Sequence, residues 1–192
     1  MKNPGITHSQ YLKDEDIKKL HKKAQTGSLD AKIELAALEV EDGHDVEKNL
    51  AFLDDMAEKE NILALMDLYF IFQSSDEDED EEKSLSYLKK AASLGSPWAM
   101  EGLAIRAMVK RITSDEKDLT EEHFLEEEKW RLAAYEASKT PKNDLAPSGV
   151  VLNMEELAAL YENKNPENPL FNPEKAAEWK AKAKEAEKTI TR

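Results

Sequence analysis

Apolar residues recur along the chain at intervals of three and four residues, with polar residues between them. One such stripe is formed by Ile33, Leu35, Ala36 and Leu38, and another by Leu65, Leu68, Tyr69 and Phe72. This spacing places the apolar side chains on one side of an α-helix. A half-buried strand would need sustained alternation of apolar and polar residues, which we do not find. The pattern therefore predicts an all-α protein.

Glycines, prolines and short polar clusters interrupt these stripes and set the predicted helix ends. Ser96-Pro97, for example, places proline in the first turn of a helix, where its missing N–H costs nothing. Residues 1–13 are predicted to be a flexible arm, and residues 140–150, with two prolines and a glycine, an inserted loop. The predicted helices span residues 14–26, 29–42, 46–59, 61–73, 81–94, 97–112, 119–139, 151–163 and 173–189.

One segment of the sequence occurs more than once, in similar copies. The segment YLKKAASLGSPWAMEGLA at 87–104 matches LHKKAQTGSLDAKIELA at 20–36, and a weaker copy lies between them. Ala31, Ala64 and Ala99 align in the three copies, at steps of 33 and 35 residues. Two helices with two turns occupy about 34 residues, and such a pair must stack on a neighbour to bury its apolar side. We therefore expect an α/α superhelical solenoid of about four helix-pair repeats with an extra N-terminal helix, as one domain over 1–192.

The last unit, residues 157–188, resembles a Sel-one-like repeat, a relative of the tetratricopeptide repeat. The residues that match the motif are Leu157, Ala158 and Tyr161 in the first helix and Lys175, Ala176, Trp179 and Ala183 in the second. The resemblance extends over about 14–188. It departs from the family where glycine is usual between the helices, at Ala36, Tyr69, Ala104 and Ala158.

Charge narrows the range of partners. The 192 residues carry a net charge of −14, which disfavours nucleic acid and anionic membranes and favours a basic protein. Cysteine is absent, so we expect no disulfide and no thiolate chemistry. The N-terminal residues lack an apolar run of signal-peptide length, and no stretch is long enough to span a membrane. Together these features favour a cytoplasmic location.

The acidic residues are concentrated in the middle of the chain, because both ends are basic. The densest run is SSDEDEDEEK at 74–83. It fits a solvated loop whose charges favour the start of the next helix, or a dock for a basic partner. A calcium loop of the EF-hand type would need a central glycine, which this run lacks.

Two aromatic residues supply the second binding signal. Trp98 lies at the start of a predicted helix, and as an exposed anchor it would suit a binding hot spot. Phe70 lies in the segment YFIF, which is apolar on more than one side of its helix and is therefore central or partly exposed. Combined with the acidic middle repeats, these positions give the predicted partner-binding set: Asp67, Tyr69, Phe70, Asp76, Glu77, Asp78, Trp98 and Glu101.

No catalytic, cofactor or metal site is predicted. The four histidines share no metal-ligand spacing, and neither a phosphate-binding glycine loop nor a nucleophile elbow is present. The resemblance implies a non-enzymatic binding protein, since Sel-one-like proteins act as adaptors and regulators and some resemble bacterial immunity proteins. We therefore expect a partner protein, such as a basic secreted toxin or effector, to be neutralised by occlusion. The alternatives are a signalling or assembly adaptor and a hydrolase built on the repeat fold.

Overall fold

The computed structural model describes residues 13–74, 78–115, 118–139 and 147–190. Within these ranges the chain forms nine α-helices and no strand, which confirms the all-α prediction. The observed helix ends lie within four residues of the predicted ones. The helices are α1 Asp14–Gln25, α2 Leu29–Glu41, α3 Val46–Glu58, α4 Ile62–Gln73, α5 Asp78–Ser93, α6 Pro97–Thr113, α7 Glu121–Ser138, α8 Pro147–Glu162 and α9 Pro173–Ile190.

The chain divides into two compact units, Met1–Leu94 and Gly95–Arg192. Helices α1 to α5 belong to the first unit and α6 to α9 to the second. Inside each unit, consecutive helices pack against one another. In the first unit α2 also packs against α4, two elements further along the chain. The prediction of one domain over 1–192 stays a prediction.

Helices α2, α4 and α6 begin with the same cap. In each, a side-chain oxygen accepts a hydrogen bond from the backbone N–H of the alanine three residues later, which satisfies a donor that the helix itself leaves unpaired. The pairs are Ser28 Oγ with Ala31 N at 3.3 Å, Asn61 Oδ1 with Ala64 N at 3.1 Å and Ser96 Oγ with Ala99 N at 3.2 Å. The repeat found in the sequence is thus a repeat of local structure as well.

A residue in the left-handed region precedes each of these caps. Gly27 and Gly95 have φ values of 101° and 92°, and Glu60 has a φ of 61°. Glycine adopts this region without steric cost, whereas a residue with a Cβ is strained there. The middle copy therefore keeps the turn that the other two have, although it lacks their glycine.

The aligned alanines lie in the cores of their units. Ala31, Ala64 and Ala99 are 3%, 0% and 0% exposed. A side chain this small lets neighbouring helices approach closely, and larger residues such as Leu68 and Leu103 fill the space around it. In the second unit a further core forms where the Trp179 ring meets Tyr135 edge-on, at 4.9 Å between ring centres.

Two predicted loops are shorter than the sequence indicated, in the part that the structure describes. Helix α5 begins at Asp78, so the second half of the acidic run is helical. Acidic side chains near a helix N-terminus favour this, because they complement its partial positive charge. Helix α8 begins at Pro147 rather than at 151, since proline suits a first helical position. The rest of the predicted loop, 140–146, and residues 1–12 of the predicted arm lie outside the described residues.

Candidate functional site

A groove lies between α2 and α4 in the first unit. Four residues of α2 and three of α4 line it, because the spacing of three and four residues puts each set on one side of its helix. The volume of the groove is about 230 Å³. We call it the α2–α4 groove; its lining residues are Glu34, Ala37, Leu38, Glu41, Leu63, Asp67 and Phe70.

Asp67 is the least ordinary residue of this groove. Burial, together with the negative charges of Glu34 and Glu41, raises the pKa of its carboxyl group from 3.8 to about 7. Its Oδ2 atom is buried and accepts no hydrogen bond from any residue that the structure describes. Burying such an oxygen raises the free energy of the folded state, because it loses its hydrogen bonds to water and gains none from the described residues.

Apolar side chains form the remainder of the groove. Ala37 and Leu38 are buried, whereas Phe70 keeps 38% of its surface exposed. The Phe70 ring lies against Tyr69, with 4.9 Å between ring centres and the planes tilted by 55°. The groove therefore combines acidic groups with an apolar wall and an accessible aromatic ring, which is the make-up of many binding sites.

The structure brings together two of the predicted binding residues. Asp67 and Phe70 both line the α2–α4 groove. Tyr69 is only 6% exposed, so it belongs to the core, where its ring lies against that of Phe70. Asp76 and Glu77 lie outside the described residues, and of Asp78 the structure describes only the backbone, as the first residue of α5.

Trp98 and Glu101 belong to the second unit. Trp98 lies in the first turn of α6 and is 48% exposed. Ile105, Val109 and Ile112 are also exposed on this helix, and their spacing continues from Trp98 along one side of it. This side of α6 is an apolar surface of the second unit.

A buried ionic cluster occupies the second unit, and the sequence did not reveal it. Glu127 of α7 is fully buried and bonds to two arginines. Its Oε2 accepts from Arg111 Nε at 2.7 Å, and its Oε1 accepts from Arg131 Nε at 3.0 Å. The i,i+4 pair of Glu127 and Arg131 is visible in the sequence, but such pairs are usually solvent-exposed.

Arg131 extends the cluster to the neighbouring helices. Its Nη1 donates to Asn153 Oδ1 of α8 at 3.3 Å, and its Nη2 lies 3.5 Å from Glu156 Oε2. Burial raises the pKa of Glu101 on α6, and the positive charge of Arg131 opposes that rise. Since its members come from α6, α7 and α8, the cluster holds these three helices in register.

The described residues contain no group of three or more histidine, cysteine, aspartate or glutamate side chains placed to hold a metal ion. Among the helices described here, none has the length and apolar character needed to cross a membrane. Comparison of the chain with family models, with curated proteins and with solved structures found no match.

Proposed function

We propose that this chain is a non-enzymatic protein-binding protein that neutralises or regulates a basic partner by covering part of its surface. In this proposal the helix pairs stack as a superhelical solenoid of the Sel-one-like kind that the sequence resembles. The cap repeated at Ser28, Asn61 and Ser96, at steps of 33 and 35 residues, supports the repeat architecture. Toxin or effector immunity is the role that we favour.

The α2–α4 groove is the observation that carries the proposal. It offers acidic groups and apolar contact area in one concavity, and a partner that supplied a positive charge would relieve the cost of burying Asp67. The net charge of −14 would speed the approach of a basic partner, since opposite charges steer diffusional encounter. The groups that line the groove and the net charge of the chain thus both favour a basic partner.

Capture of the partner from the native organism at low salt, followed by calorimetry with the purified partner, tests this proposal. We expect a basic protein that binds at least tenfold more weakly in high salt, because screening shortens the reach of surface charge. The double variant Glu34→Gln/Asp67→Asn should weaken binding further. A matched control, Glu47→Gln/Glu58→Gln, removes two exposed charges of the same unit outside the groove and should bind almost as wild type.

The activity of the captured partner separates immunity from an adaptor role. Occlusion predicts that its activity falls in proportion to the bound fraction, with a 1:1 end point. An adaptor would bind with the same groove dependence and leave that activity intact. Equal loss of affinity in the groove variant and in the matched control would contradict the groove as the contact surface.

A further inference from the structure

The size of the α2–α4 groove limits what can enter it. The groove volume is about 230 Å³. This lies below the range of about 300–1,000 Å³ that is usual for ligand pockets, so the groove suits one side chain better than a larger element.

The charges in the groove favour a cation at the end of a flexible stem. Asp67 meets the carboxylates of Glu34 and Glu41 across the α2–α4 contact. On the two other helices packed against α4, Asp54 of α3 accepts from the Tyr87 hydroxyl, and Lys83 of α5 lies over the Phe72 ring. Since no three acidic side chains of the described residues are placed to chelate a metal, an organic cation fits better than a metal ion.

The shape of the walls favours a guanidinium over an ammonium. Leu63 and Ala37 offer apolar surface to a methylene stem, and the exposed Phe70 ring offers a face on which a planar cation stacks. A guanidinium is also less strongly hydrated than an ammonium, so it enters a partly buried site at lower cost. Rotation about the Asp67 Cβ–Cγ bond exchanges its two oxygens, so a ligand can pair with either.

We propose that the α2–α4 groove binds one arginine side chain of the partner, with its guanidinium on the Asp67 carboxylate and against the Phe70 ring, and its stem along Leu63 and Ala37. This inference rests on the proposed function, because it names the chemical group through which the partner would be held. It requires the carboxylate form of Asp67, so occupancy stabilises the ionised state of that residue.

Nuclear magnetic resonance on the whole, isotopically labelled protein tests this directly. The Asp67 carboxyl carbon is titrated from pH 5 to pH 9 alone, with N-acetyl-arginine amide, with the neutral isostere N-acetyl-citrulline amide, and with the lysine analogue. We expect the arginine probe to lower the pKa of Asp67 by about one unit or more and to shift the Leu63 methyl signals. The citrulline probe should do neither, and the lysine probe should act more weakly.

Two variants and a control distinguish a loss of arginine binding from a loss of structure. Glu34→Gln changes an exposed residue, so the fold should persist while arginine binding weakens severalfold. Asp67→Asn should abolish the Leu63 shift, and the control Glu58→Gln should leave it unchanged. An equal response to arginine and citrulline, an equal response to arginine and lysine, or no response to any probe would overturn the assignment.

The two proposals fail in different ways. If the captured partner loses affinity on Asp67→Asn while the arginine probe produces no shift, the groove binds the partner and the arginine assignment is wrong. If the arginine probe binds but the partner ignores Asp67→Asn, the arginine site stands and the proposed contact surface is wrong.

Discussion

The two units of this protein bury acidic side chains in opposite ways. In the second unit Glu127 is fully buried and bonds to Arg111 and Arg131. In the first unit Asp67 is largely buried beside two further acids, and its Oδ2 accepts no hydrogen bond from the described residues. A satisfied buried acid holds helices together, whereas an unsatisfied one raises the free energy of the folded state until a ligand pairs with it. The contrast distinguishes a structural site from a candidate binding site.

The largest effect should come from removing Glu127, the acid that both arginines share. Glu127→Ala leaves two guanidinium groups without their shared acid, and we expect the second unit to lose about 3–5 kcal/mol of stability. All three tryptophans lie at or after residue 98, so the tryptophan fluorescence in urea comes from this unit. Its exposed neighbour gives the control: Glu126→Ala should change the stability by less than about 0.5 kcal/mol. Similar losses in both variants would mean that the cluster contributes nothing special.

A smaller effect of the opposite sign is expected at Asp67. Because its pKa is raised from 3.8 to about 7 in the folded state, the folded state holds the proton longer than the unfolded chain does. Its contribution to stability therefore falls as pH rises from about 4 to 7 and is constant above that range. Asp67→Asn removes this penalty, so the variant should gain about 2–3 kcal/mol over wild type between pH 5 and pH 8.

Urea unfolding followed by circular dichroism measures this gain, because the signal includes the first unit, which has no tryptophan. The exposed variant Glu58→Gln serves as the control and should show no such divergence with pH. A gap between Asp67→Asn and wild type that stays constant from pH 5 to pH 8 would show that Asp67 is not the buried acid described here.

The smallest effect is expected at an exposed ion pair, which tests whether burial decides the strength of such pairs. Lys180 Nζ and Glu162 Oε1 lie 2.6 Å apart, closer than Arg111 and Glu127 at 2.7 Å, but both side chains are about half exposed. Solvent screens such a pair, so Glu162→Gln should cost no more than about 0.5 kcal/mol by tryptophan fluorescence in urea. A loss approaching that of Glu127→Ala would mean that distance, rather than burial, decides the strength of these pairs.

The sequence predicted the helices well because their signals are local. Apolar spacing, the caps at Ser28 and Ser96 and the glycines that precede them all lie within a few residues of the ends that they define. Even Asn61, in the weaker copy, is followed by a helix where the alignment required one. The start of α5 within the acidic run was predicted less well, because the same charges suit a loop and the start of a helix.

The candidate site was predictable only on one helix. Asp67 and Phe70 were identified from charge and apolar character along the chain, but Glu34 and Glu41 were not, since their role depends on the packing of α2 against α4. Glu127 and Arg131 escaped notice for a related reason. An acid and an arginine four residues apart have the same pattern whether they face water or a core, and only the surrounding helices decide between the two.

The left-handed backbone of Glu60 has a practical consequence for engineering. At this position the turn is already built and hydrogen-bonded, with the Glu60 N–H donating to the Ala57 carbonyl at 3.1 Å, so the side chain adds strain without shaping the loop. Replacing Glu60 with glycine or asparagine is therefore a first choice for raising the stability of the protein. Such a change removes a local conflict while leaving both the groove and the ionic cluster untouched.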